Sequence, residues 1–198
     1  MTPVVTRLRE QKRSRVAVEL DGRPWRVLPT DAVVRAGLAV GRLLDRSTAR
    51  ELAREVRRAR AVAAATRSLA AGDRSAQALE QRLARAGHSA AAREDAIASL
   101  ARSGAIDDAR LAESRAEVLA RRGYGDAAIR ADLRRRLIPP DAAASAVAAL
   151  EPEATRLRRV LENESLTPAL LRRLASRGFS RDSLDEVASS FALKARQG

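Results

Sequence analysis

"GAIDDARLAESRAEVLARRGYGDAAIRADLRRRLIPPDAAASAVAAL", residues Gly104 to Leu150, decides how this chain is read. It holds a tandem carboxylate pair, Asp107-Asp108, and a dense arginine block, so it is either an active site with an anion-binding face or one turn of something repetitive. Comparing the chain with itself favours repetition. "RSAQALEQRLARAGHS", "GYGDAAIRADLRRRLIP" and "LTPALLRRLASRGFS" each set two large aliphatics four residues apart, on one helix face, with a helix-ending slot four later. The triplets are Leu79-Leu83-Gly87, Ile129-Leu133-Leu137 and Leu170-Leu174-Gly178. Ile97, Val147 and Ala188 lie ten residues beyond each third member, and Leu100, Leu150 and Phe191 lie thirteen beyond, so a second helix is expected after each triplet. A further helix is expected before each, near 48–70, 107–122 and 152–164. The pattern predicts three tandem three-helix units.

Asp107 and Asp108 then stand where the first helix of the second unit begins, after the turn-former Gly104. Carboxylates in that place accept from free backbone N–H groups and suit the positive end of the helix dipole. No base or further ligand is near them in sequence, so they read as caps. Ser47 and Ser75 precede helical runs and read as N-caps, not nucleophiles.

Ahead of the helices, "SRVAVELDGRPWRVLP" alternates like a β-hairpin. Val16, Val18 and Leu20 share one face, Asp21-Gly22 gives a type I′ turn signal, and Trp25 and Val27 answer on the return strand. Trp25 is expected to pack the hairpin on the first helices. Thr30 or Asp31 is expected to cap a short helix that stops at Gly37. The organisation is therefore a β-hairpin-containing extension over 1–45 and helical repeats over 46–103, 104–150 and 151–198.

The bulk numbers fit this. The chain has 198 residues, 45% hydrophobic but only 2% aromatic, a palette of Ala, Leu and Val that suits closely packed helices and a thin core spread along an elongated body. Cysteine is absent, which excludes disulfides and thiolate metal sites. "MTPVVTRLREQKRSR" has no apolar signal-like stretch, and no run approaches the 18 apolar residues of a membrane span, so a soluble cytoplasmic protein is expected, without membrane contact. The net charge is +13, and Lys12 and Lys194 are the only lysines. A GC-rich codon bias accounts for Arg in place of Lys but not for the excess itself, which implies attraction to nucleic acid, an anionic membrane or an acidic protein surface. Residues 1–60 hold 15 basic and 7 acidic residues, and 61–198 hold 23 and 18.

The candidate binding residues are arginines beside helix ends: Arg121, Arg122, Arg130, Arg134, Arg135 and Arg136 in the second unit, and Arg172, Arg173 and Arg177 in the third. Their guanidinium groups pair bidentately with carboxylates and phosphates alike. The bland reading of any one of them is a solvated helix face. As a set, the six arginines of 121–136 face only Asp126 and Asp132. Tyr124 and Phe179 occupy equivalent turns between units and read first as joint anchors, with base stacking as the functional alternative. His88 follows Gly87 in a turn and reads as a solvated polar residue. No P-loop, dinucleotide fingerprint, zinc spacing or Ser-His-Asp set is present, so neither an enzyme nor a cofactor is expected.

The residues Arg74-Ser75, Ile97, Leu100, Gly104, Ile106, Asp107, Asp108, Leu111, Ala112, Arg122-Gly123-Tyr124, Ile129, Leu133 and Arg136 closely resemble the RecX family of recombination regulators, and Leu174, Arg177, Gly178, Phe179 and Leu184 continue the match. It spans roughly 60–191. Two positions depart: Leu137 stands where the family has glycine, and Leu111 where it has phenylalanine. The resemblance implies a mainly α fold of three tandem three-helix repeats in an elongated, curved body, with a small N-terminal β-hairpin extension. It also implies a protein that binds the groove of the RecA–single-stranded DNA filament, inhibits ATP hydrolysis and strand exchange, and promotes filament loss. The expected partners are that filament and DNA, single- or double-stranded, held electrostatically by a monomer. Two other readings stay open: a basic helical DNA-binding regulator, and a structural scaffold not acting on RecA. The N-terminal 45 residues could contact DNA, the filament or only the first helical unit.

Overall fold

The computed structural model describes residues 2–161 and 167–195, the last five by their backbone alone. Two compact units divide the chain. Residues 1–73 with 79–106 form the first, and residues 74–78 with 107–198 form the second.

The first unit opens with a three-stranded antiparallel sheet in the order β1 (Val5–Gln11), β2 (Arg15–Leu20), β3 (Arg23–Pro29). The expected hairpin is β2–β3, and its turn is as the sequence suggested: Asp21 (φ 49°) and Gly22 (φ 76°) both adopt the left-handed conformation a type I′ turn requires. The additional strand β1 escaped the hydrophobic pattern because it is a charged edge strand, with Val5 its one fully buried residue. The turn also secures it. The Asp21 carboxylate accepts from the Val4 N–H at 2.9 Å, and the Gly22 N–H donates to the Thr6 hydroxyl at 2.9 Å.

Val16, Val18 and Leu28 point into a core shared with Val5, Val33, Leu38 and Leu52. Trp25 does not join them. Leu28 is the β3 residue paired with Val16, so alternation sends Trp25 and Val27 to the other face. There Trp25 is 37% exposed, with the Arg26 guanidinium 5.2 Å from its ring centre. The short helix α1 (Thr30–Arg35) ends before Gly37 (φ 60°), as expected, but neither Thr30 nor Asp31 caps it. Pro29 occupies the N-cap position, the Thr30 N–H donates to the Ser14 carbonyl, and Asp31 pairs with Arg35 at 3.0 Å.

Helix α2 (Arg46–Ala70) starts from Asp45, not Ser47: the Asp45 carboxylate accepts from the Thr48 N–H at 2.7 Å, and the Ser47 hydroxyl donates to it at 2.8 Å. Backbone and side-chain donors to Asp45 hold its carboxyl at about 2. α2 packs on α4 (Ala90–Arg102) with small residues at the seam, Ala61 and Ala65 on one helix and Ala92 and Ala96 on the other. Between them in sequence runs α3 (Ala76–Arg85), with Leu79 and Leu83 buried.

The second unit contains α5 (Asp108–Arg121), α6 (Asp126–Arg135), α7 (Pro140–Ala148), α8 (Glu153–Val160), α9 (Pro168–Ser176) and α10 (Arg181–Ala195). One core gathers Ala112, Ala116, Leu119, Ile129, Leu133, Ile138 and Val147, and another gathers Leu157, Leu161, Leu170, Leu174, Phe179 and Val187. The three repeated aliphatic pairs are thus all buried. The helix-ending slots share one conformation: Gly87, Leu137 and Gly178 have φ of 80°, 57° and 84°. The departure at Leu137 therefore keeps the backbone of the turn and forces a side chain into it, at a cost of about 1–2 kcal/mol. Leu100 is buried and Leu150 half-buried, as their periodicity requires; the Phe191 side chain lies outside the described residues.

Candidate functional site

The opening carboxylates cap two different helices. Asp107 accepts from the Arg110 N–H at 2.9 Å, closing the first turn of its own α5, while Asp108 accepts from the Ala76 N–H at 2.9 Å, at the start of α3. Ser75 caps α3 as expected, accepting from the Ala78 N–H, and its fully buried hydroxyl also donates to the Arg136 carbonyl at 2.8 Å. The R-S step at 74–75 is thereby tied to the end of the arginine block.

That block is organised around Asp132. Its carboxylate receives the Arg115 Nε at 2.7 Å, the Arg136 Nε at 3.0 Å and an Arg135 Nη at 3.2 Å. The Arg115 hydrogen bond does most to hold the Asp132 carboxyl down at about 2; burial opposes it and Arg136 assists it. Arg130 pairs with Asp126 at 3.3 Å and Arg121 with Glu117 at 3.5 Å. Among the described residues, Arg122, Arg134 and Arg172 are exposed and enter no ion pair. Arg173 is exposed on α9.

A joint brings the two aromatic turns together. The Gly125 N–H donates to the Arg177 carbonyl at 3.0 Å and the Ala127 N–H to the Gly178 carbonyl at 3.1 Å. A Cβ on Gly125 would overlap the backbone of Gly178 and Phe179. One carboxylate, Glu153, serves both neighbouring helix starts, accepting from the Asp126 N–H at 2.6 Å and from the Ser180 N–H at 3.0 Å. Buried Arg156 donates to the carbonyls of Glu151 (2.9 Å) and Tyr124 (3.2 Å) and to the Asp126 carboxylate.

The two turns differ in what they do with their rings. Phe179 is a core residue, as a joint anchor should be, whereas Tyr124 is 38% exposed, with the Arg177 guanidinium 5.9 Å from its ring centre. Arg122, Tyr124 and Arg177 are thus brought to one turn cluster. Arg134, Arg135 and Arg136 sit at the far end of α6, about 15 Å along the helix. Arg115, Glu153 and Arg156 were missed, because their partners lie 17, 27 and 30 residues away and no short motif joins them. Among the described residues no group of three or more His, Asp or Glu could hold a metal, and no helix is long and apolar enough to cross a membrane.

Fold and surface together define a basic protein of tandem three-helix units that presents guanidinium groups at its helix ends. Residues 107–147 match the family model described as RecX, second three-helix domain. The fold is similar to that of a solved structure described as regulatory protein RecX (TM-score 0.78, 20% identity, covering 94% of this chain and 99% of that one). It is also similar to RecX from Lactobacillus salivarius (TM-score 0.59, 19% identity, 69% of this chain and 97% of that one). No curated protein gives a significant match. The likeness to RecX thus covers residues 107–147 by sequence and most of the chain by fold.

Proposed function

We propose that the chain is a negative modulator of RecA that works by occupying the RecA–single-stranded DNA filament, not by chemistry. The match of residues 107–147 to the second three-helix domain of RecX, with the RecX-like fold around it, is the observation that carries this reading. Binding in the filament groove inhibits ATP hydrolysis and strand exchange or promotes filament loss. The proposed contact residues are Arg121, Arg122, Tyr124, Arg130, Arg134, Arg135, Arg136, Arg172, Arg173 and Arg177, acting in a monomer built as an extension over 1–45 and repeats over 46–103, 104–150 and 151–198. All are exposed, Arg130 and Arg172 in mid-helix and the others at helix ends and turns, which supports the assignment.

They do not serve equally well as probes. Arg135 and Arg136 hold Asp132, so reversing them tests the fold as much as the surface. Arg122, Arg134 and Arg172 carry no such burden. Changed together to Glu, they should weaken inhibition of RecA ATPase at least about tenfold while far-UV circular dichroism and the unfolding midpoint stay unchanged. Undiminished inhibition by that variant would remove these residues from the contact surface.

A further inference from the structure

The first unit contains a basic cleft of about 840 Å³ between the β1–β2 turn, the start of α1 and the middle of α2. Six arginines line it (Arg13, Arg15, Arg35, Arg58, Arg60 and Arg67) against a single carboxylate, Asp31. Their states differ. Arg35 is neutralised by Asp31 at 3.0 Å, and Arg15 donates to the Val27 carbonyl at 3.2 Å. Arg58 lies buried, with its nearest carboxylates, Glu55 and Asp31, at 3.6 and 3.9 Å. Arg13, Arg60 and Arg67 are exposed and enter no ion pair among the described residues.

The turn that carries Arg13 is built at a cost. Arg13 (φ 64°) and Ser14 (φ 52°) both take the left-handed conformation without glycine, and the Ser14 carbonyl is fixed by the Thr30 N–H at 3.0 Å. Such strain persists only where the surroundings enforce it. The strained turn brings Arg13 to the cleft that Arg60 and Arg67, two turns apart on α2, also line.

We propose that this cleft binds the sugar–phosphate backbone of a nucleic-acid strand, independently of the arginines of the second unit. Several guanidinium groups spread along one open cleft match a row of phosphates, each satisfied by one or two N–H donors. An acidic protein surface fits less well. Protein partners are anchored by desolvated apolar or aromatic side chains, and the described lining offers only Pro29, Ala59, Val62, Ala63 and Ala64 as apolar groups, with no Phe, Tyr or Trp. Without a Phe, Tyr or Trp to stack on, the strand is held by its backbone, with His88 the one aromatic ring in the described lining.

The test uses the full chain without RecA, so that its failure would leave the RecA reading standing. Fluorescence anisotropy measures binding of a labelled 25-residue oligo-dT, and of a duplex of equal length, across a salt series. Arg13→Ala/Arg60→Ala/Arg67→Ala should raise Kd at least about tenfold and make the slope of log K against log salt shallower by about 2, since each phosphate contact contributes about 0.7 on a single strand. The single variants Arg60→Ala and Arg67→Ala should each remove about a third of that change, which protects the result against a triple variant that folds poorly. Loss on the single strand, the duplex or both supports the assignment. Unchanged affinity and slope overturn it. So does equal binding of a poly-glutamate of matched charge by the wild type, lost equally in the variant, which would make the cleft a site for acidic protein.

Discussion

At the scale of single residues, Asp132 is the group on which the arginine block depends. Its carboxyl sits at about 2 against a usual 3.8, so the anion is favoured by folding. A lowered carboxyl contributes stability that is fully present above the unfolded value and is lost as pH falls through the folded one. Asp132→Asn should therefore destabilise the protein by about 1–3 kcal/mol at pH 7 in urea unfolding, with the gap to wild type closing as pH is lowered from 4 towards 2. A gap that persists undiminished at pH 2 would mean that the carboxylate is not what Arg115 and Arg136 secure. Glycines give a second contrast. Gly125 has no positive φ but faces the Gly178 backbone, whereas Gly104 (φ 71°) faces open space. Gly125→Ala should cost about 3 kcal/mol and Gly104→Ala about 1; equal costs would show that the close approach at the joint does not matter.

At the scale of elements, the helices were legible because spacing alone encodes them: two aliphatics four apart and a turn slot four later recur, and each pair is buried. The caps were half legible. Asp107 and Ser75 were foreseen, but Ser47 falls inside α2 and yields the cap to Asp45, and Asp108 reaches across to α3, a partner 32 residues away. Strand β1 was not legible, because an edge strand with charged side chains carries no period-2 signal. Trp25 misled for a related reason: size suggests burial, but strand parity decides it, and Leu28 has the inward parity. Among the proposed contact residues, the sequence offers the arginines but not which of them are spent on Asp132, Asp126 and Glu117. Ser75 gives an element-scale test, since its hydroxyl both caps α3 and satisfies the Arg136 carbonyl. Ser75→Ala should lower stability by about 1–2 kcal/mol, read as a fall in Tm; no change would mean that neither bond contributes.

At the scale of the whole molecule, this is a cationic, mainly helical protein whose fold presents charge. The +13 net charge is distributed between two units: a strained, basic cleft in the first and exposed helix-end guanidiniums in the second. Under the proposed function such a protein restrains RecA. The most direct measurement is the ATPase rate of RecA on single-stranded DNA, from the same organism, as the protein is titrated in. Saturating inhibition is expected, reached well below one molecule per RecA protomer if filaments are capped or lost, and at a higher ratio if the groove is occupied throughout. An unchanged rate at every ratio, with the protein folded, would contradict it.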